Sequence, residues 1–503
     1  MISRLFKKKP GGKQFFVNAI AGSAQAIITS FFLFFLYRFL LGHLGVKQLG
    51  VWSLLMAWLS LARIGDFGLS GAMVRFASLA LTQEGQHKEA SNILKLGIIV
   101  SCFITAIIST VISILLFCIL PTFLAGQKDL PWVLLLGGLS AWLGCVLVAI
   151  RAGLDALQRV DLRHVTIVVQ NGIFLLGVFM LVDRFGLGGV FLAQILAVGF
   201  TVVMSSMVFY FELRGRNLLG VSLELRWNSI NKLFSYGIPF QITTITGFLL
   251  DPLVKMLLGS YADLNSVTWY EMASKLISQV RAVVVNAMEA LVPHVAALGG
   301  EQRLKILSSE YRRAYLINLA LATLGLGLVV ANLPLISLLW IDQFQPTFLI
   351  FSSILGIIWW FNALGVPAYF VAQGLGIQRW NLIAHVIMSI VNLFLGVVLG
   401  LIFGGLGVLF ALSFSLVVGT MISVLGLHYA VRKSEGILLN AFIPFGYFFA
   451  GVVFLPVIVY FKSEYPPLVY TISVLSSIVL LWSVLKIKKN KDLIDSILVR
   501  LFR

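Results

Sequence analysis

Charge is scarce in this chain: of 503 residues only 11% are Asp, Glu, Lys or Arg, and 20 are acidic. A soluble globular surface uses roughly 25% charged residues, so water is excluded as the main solvent. Cysteine is scarcer still, at three. Cys102, Cys118 and Cys145 all fall inside apolar runs, where a thiol packs as a small hydrophobe. That excludes a disulfide scaffold and a cysteine metal centre. Catalytic loops are missing too: there is no HExxH, GxSxG, Walker lysine loop or CxxC pair, and the six histidines are scattered.

Apolar sequence fills the space. The chain is 59% hydrophobic with a mean hydropathy of +0.99, and runs such as 98–120, 165–182, 348–371 and 468–485 approach the ~20 residues needed to cross a bilayer core. Windows of this kind predict about 14 transmembrane helices. The first six spans are 15–41, 49–74, 96–120, 131–150, 164–182 and 186–210. The next six are 233–258, 266–291, 315–341, 346–372, 381–402 and 406–430, and the last two are 438–461 and 466–485. Residues 1–14 are basic, but the run after them continues to Arg38 with no small-residue cleavage site, so the first span is expected to stay in place.

The formal charge of +17 is distributed by side. Every second connection is basic: Arg4 to Lys13, then Arg75, Lys88 and Lys95, then Arg151, Arg159 and Arg163. The same parity continues through Arg214 to Lys232, Arg303 to Arg313, Arg379, Arg432 and Lys433, and Lys486 to Lys491. The alternate connections hold little more than Lys47, Lys128, Arg184 and Lys462. By the positive-inside rule both termini are cytoplasmic, which requires an even number of spans. Topology therefore accounts for the basic balance, and nucleic acid is not an expected partner.

A separation of 217 residues carries Leu36-Tyr37-Arg38-Phe39-Leu40-Leu41-Gly42 onto Leu253-Val254-Lys255-Met256-Leu257-Leu258-Gly259, with four of seven positions identical. The same register pairs Trp52 with Trp269, and nearby registers pair Gln158-Arg159 with Gln378-Arg379 and the glycine-rich stretch 185–190 with 403–408. Two halves of six spans each follow, 15–215 and 233–435, joined by 216–232. An even number of spans per half gives parallel repeats. Residues 436–486 add two spans, and 487–503 form a basic tail.

Ionisable side chains at membrane depth are costly and by default mark a pathway or site. Here they are confined to spans 1, 2, 7 and 8: Arg38; Arg63 and Asp66; Asp251 and Lys255; Glu271, Lys275, Arg281 and Glu289. On span 8 the four charges fall at about 0, 40, 280 and 0° around the axis, one sector of the helix. Lys275, Arg63 and Arg281 come out roughly 13 to 22 Å deep, whereas Arg38 and Lys255 lie near the outer boundary, where a long side chain can snorkel. Pro239 and Pro252 predict a bend in span 7. Gly396, Gly400 and Gly404, at spacing four, predict close helix packing.

Two stretches carry a resemblance. Leu44 to Leu54 (LGVKQLGVWSL), with Ile64-Gly65-Asp66-Phe67-Gly68-Leu69-Ser70 and Arg75, is similar to the first-half signature of the polysaccharide-export (Wzx-type) flippases. Gly237-Ile238-Pro239, Trp269-Tyr270 and Leu291-Val292-Pro293 resemble the second-half signature. These flippases share a superfamily with multidrug and toxin extruders and the lipid II flippase. The resemblance implies an all-α fold of two six-helix bundles in a V, with spans 1, 2, 7 and 8 lining a cationic cavity, in the bacterial inner membrane.

The task it implies is moving an undecaprenyl-pyrophosphate-linked oligosaccharide, such as an O-antigen, capsule or exopolysaccharide unit, to the outer leaflet. In that role Arg63, Lys275 and Arg281, with Arg38 and Lys255, would neutralise the pyrophosphate. Trp269 and Tyr270 would meet sugar, and Asp66, Asp251 or Glu271 would carry a coupling H⁺ or Na⁺; no other cofactor is expected. Expected partners are the lipid-linked oligosaccharide, membrane lipids, and a polysaccharide polymerase with its chain-length machinery. Two rivals stand beside it. A cation-coupled multidrug exporter would favour an acidic cavity, whereas the charges of spans 1, 2, 7 and 8 count five basic against four acidic. A membrane-embedded glycosyltransferase or polymerase needs a sizeable loop with carboxylate or His chemistry, and the longest connections, near 211–232 and 292–314, hold only scattered examples.

Overall fold

A computed structural model describes residues 12–83, 87–123, 130–218, 227–289, 291–296 and 303–431. The last two predicted spans, residues 1–11 and residues 432–503 lie outside them. Every regular element among the described residues is helical. Eight helical stretches are long and apolar enough to cross a membrane, and several of them hold two predicted spans, so the chain is a multi-pass membrane protein.

Two compact units divide the chain at Pro252 and Leu253. In the first, α1 (Gly12–Leu59) has one non-helical residue, Gly45, and leads into a 3₁₀ turn (Ser60–Asp66). Then come α2 (Leu69–Thr82), α3 (His87–Phe123), α4 (Leu130–Ala156) and α5 (Val160–Gly215). Helix α6 (Trp227–Tyr261) continues through both prolines and carries the unit boundary. In the second unit follow α7 (Leu264–Glu289), α8 (Leu291–Ala296), α9 (Arg303–Ala331), α10 (Leu333–Ile341), α11 (Pro346–Leu364), α12 (Val366–Gly374) and α13 (Arg379–Ala430).

Large apolar side chains face both ways, as bilayer solvent allows. Leu69, Met73, Leu94, Leu96 and Leu154 close a core in unit 1, while Phe103, Ile107, Ile114 and Phe117 of α3 are exposed and face where lipid would be. Gly396 and Gly400 do mark close packing: a Cβ at either would press on Leu257 or Tyr261 of α6.

The glycine-rich stretches matched in the sequence adopt one geometry. Helix α5 breaks at Gly186 (φ 52°, ψ −129°) and α13 at Gly404 (φ 61°, ψ −140°), 218 residues on. Each break reverses the chain so tightly that a Cβ on Gly189 would overlap the Leu181 carbonyl, and one on Gly407 the Leu399 carbonyl. Both clashes are with backbone, which has little room to yield. Gly189→Ala and Gly407→Ala should therefore each destabilise by about 1–3 kcal/mol, read as similar drops of several degrees in thermal midpoint in detergent.

Candidate substrate site at membrane depth

The second span does not cross as one helix. Gly65, Asp66, Phe67 and Gly68 break it: Phe67 (φ 45°) and Gly68 (φ 69°) are left-handed, and a 3₁₀ turn precedes them. Irregular backbone at membrane depth survives only where its polar groups are met inside the protein or line a wet cavity. Here they are met. Asp66 accepts the Ser70 hydroxyl (2.8 Å), the Ser70 backbone N–H (3.2 Å) and, from α3, the Ser101 hydroxyl (2.8 Å). The Ile64 carbonyl accepts Gln241 Nε2 from α6 at 2.9 Å.

Asp66 thus caps α2 and ties it to α3. Arg63, at the end of the 3₁₀ turn, is exposed. Discontinuous helices are where transporters of several folds place substrate and ion sites.

Beside the break, α6 approaches to backbone contact. A Cβ on Gly237 would lie 2.5 Å from the Phe67 carbonyl oxygen, and one on Gly68 would overlap the Gly237 carbonyl. Phe67 and Phe234 bracket the contact with ring centroids 6.3 Å apart.

In unit 2 the charges cluster around Glu271. Its carboxylate, 4% exposed, takes Lys255 Nζ at 2.6 Å and Lys275 Nζ at 3.6 Å. Lys255, placed near the outer boundary by helix counting, is buried beside it. Lys275 remains open at 39%, so this triad presents one net positive charge through Lys275. Trp269 and Tyr270 are 4% and 2% exposed: they pack in the unit's interior, with no open ring face for sugar. Arg281 keeps away from the triad, its guanidinium carbon 4.1 Å from the Trp359 ring centroid. Arg38 is exposed on α1 and Asp251 is partly covered on α6.

A family model described as polysaccharide biosynthesis protein matches residues 12–298, more than half of the chain. The chain belongs to that family. No curated protein matches it by sequence. Among solved structures, this polysaccharide biosynthesis protein is similar to lipid II flippase MurJ in an inward closed conformation, at 16% identity, with 95% of this chain and 100% of that chain covered and a TM-score of 0.66. It is also similar to an inward-facing multidrug resistance MATE family transporter of the MOP superfamily (15% identity, 83% and 99% covered, TM-score 0.63). A third likeness is to a MOP superfamily transporter from Pyrococcus furiosus (14%, 86% and 98%, TM-score 0.60). At these identities the likeness establishes the fold: this family member is built like the MOP transporters.

Sequence reasoning missed several groups at these sites. Gln241, Trp359, Tyr369 and His385 lie in spans read as apolar. Arg151, counted with loop charges, lies inside α4 and donates to Thr166 Oγ1 (3.0 Å) and Gln170 Oε1 (2.9 Å) of α5. The signal available was a lone polar residue inside an apolar run, which Gln241 and His385 both provide.

Proposed function

We propose that this protein is a flippase that carries an undecaprenyl-pyrophosphate-linked oligosaccharide from the inner to the outer leaflet of a bacterial cytoplasmic membrane by alternating access, with both termini cytoplasmic. Membership of a polysaccharide biosynthesis family, on a transporter fold, is the observation that carries it. The open cations support the reading. Arg63, exposed on its broken helix, and Lys275, at the rim of the Glu271 triad, are each a surface cation that can meet phosphate oxygens, and charge-assisted bonds to phosphate oxygens are strong.

Lys255 then acts indirectly, holding Glu271. Asp66, with three donors around one carboxylate, is a structural cap, which leaves Glu271 and Asp251 as the carboxylates for a coupling H⁺ or Na⁺. Trp269 and Tyr270 would serve sugar only in a conformation that uncovers them. Polymer assembly outside the membrane, as O-antigen, capsule or exopolysaccharide, would follow, with a polymerase and chain-length machinery as partners.

The rival on the same fold is a cation-coupled multidrug exporter. Deleting the gene separates the two: an undecaprenyl-linked glycan should accumulate on the cytoplasmic side of the membrane. Unchanged membrane lipids together with lost drug resistance would sink the flippase and leave the exporter. Arg63→Ala with Lys275→Ala, in correctly inserted protein, should cut polymer export at least tenfold.

A further inference from the structure

Arg281 is an anomaly among the buried charges. Its Nε has no accessible surface and no hydrogen-bond partner, and no acid pairs with it among the described residues. A guanidinium partly withdrawn from water without a counter-charge is costly, and stacking on an indole recovers only part of that cost. Four helices converge on it. Arg281 comes from α7, Trp359 from α11, Tyr369 from α12 and His385 from α13.

Tyr369 and His385 stand edge to face, centroids 5.9 Å apart at 89°, and both lie within electrostatic reach of the guanidinium. His385 Nδ1 is a second enclosed polar atom without a partner. Asn381 Nδ2 donates to the Tyr369 carbonyl at 3.0 Å, and Ser423 Oγ donates to Asn381 Oδ1 at 2.8 Å, so the tyrosine's backbone is held. All four side chains are only partly covered, so the cluster is not sealed in the core.

A partly exposed guanidinium without a counter-charge, set among aromatic rings, suits a ligand with a negative charge and a flat apolar face. The charge to be matched is single, because Arg281 is the one cation in the cluster. A pyrophosphate diester carries two. A carboxylate matches the planar fork of a guanidinium in bidentate geometry, and the C–H face of a pyranose ring suits the rings of Trp359 and Tyr369.

We infer that unit 2 holds a subsite for one carboxylated sugar of the transported glycan, its carboxylate on Arg281, its ring against Trp359 and Tyr369, and a hydroxyl on His385. This deepens the flippase reading and rests on it. Lys275 lies six residues back along α7, about 9 Å by helical rise, so the subsite and Lys275 can engage different parts of one substrate.

The test uses the purified full-length chain in lipid nanodiscs, titrated with sodium glucuronate, its methyl ester, glucose and inorganic phosphate. Glucuronate should raise the thermal midpoint and change tryptophan fluorescence, and that change should vanish in Trp359→Phe. Arg281→Gln should need at least tenfold more glucuronate, with Arg281→Lys between. The methyl ester and glucose should not bind. Equal glucuronate affinity in wild type and Arg281→Gln, or no binding to wild type, overturns the subsite.

An Arg281-dependent preference for phosphate also overturns it, and would reassign Arg281 to the lipid headgroup. If Arg281→Gln does not fold, Arg281→Lys and Trp359→Phe carry the comparison. Glycolipid accumulation in the deletion strain does not depend on Arg281, so the subsite and the flippase reading can fail separately.

Discussion

Replacing Gly68 with alanine is expected to abolish polymer export while the protein still inserts. Two costs fall on the new methyl group. At φ 69° a non-glycine residue is strained by about 1–3 kcal/mol, and the Cβ would overlap the Gly237 carbonyl, adding about 1–3 kcal/mol by overpacking. The neighbouring atom is backbone, so relief comes only by moving α6 away from Phe67 and Gly68.

That movement also breaks the bond from Gln241 to Ile64. Gly237→Ala should act in the same direction, since its Cβ meets the Phe67 carbonyl. Gly247→Ala, on the same helix with nothing within 4 Å of its Cβ, serves as control: it should be neutral or stabilise by about 0.4–1 kcal/mol. Export assays and thermal midpoints for the three variants check this. Wild-type export by both Gly68→Ala and Gly237→Ala would show that the contact has no part in the transport cycle.

Removing the Glu271 carboxylate is expected to have the second large effect. Glu271→Ala leaves the buried Lys255 ammonium without its 2.6 Å partner, and breaking a buried pair from one side costs about 3–5 kcal/mol. Replacing both members by apolar side chains of similar volume is commonly neutral or stabilising. Lys255→Met with Glu271→Met should therefore recover the thermal midpoint.

Export tells the two roles apart. If the pair only holds α6 to α7, the double variant exports. If Glu271 carries the coupling ion and orients Lys275, the double variant folds and fails to export. We expect the second result, because Lys275 also contacts Glu271 and would lose its anchor.

Much of the architecture was legible before any coordinates. Burial in lipid demands long apolar segments whose backbone bonds close within the segment, and that is a local property. Gly186 and Gly404 were legible only as matched glycine-rich stretches: the structure shows that both hold a left-handed break, and Gly404, read by its spacing as a packing glycine, interrupts α13 instead. Helix counting gives a depth along one helix but no contact across two. It placed Lys255 near the outer boundary but could not show its partner, and the structure buries it against Glu271. The break within the second span escaped notice: a window average does not register four residues of Gly-Asp-Phe-Gly inside an apolar run.

What the sequence alone determined is a multi-pass helical protein, its duplicated glycine-rich stretches, and the short list of residues able to hold charge in the membrane. What only the tertiary structure decided is which of those charges are already matched. Glu271 satisfies Lys255, Asp66 satisfies a helix end, Trp269 and Tyr270 are enclosed, and Arg281 is left over the Trp359 ring without a counter-ion among the described residues. The reason is geometric: hydropathy is set along the chain, but whether two side chains touch depends on the rotation and offset of one helix against another.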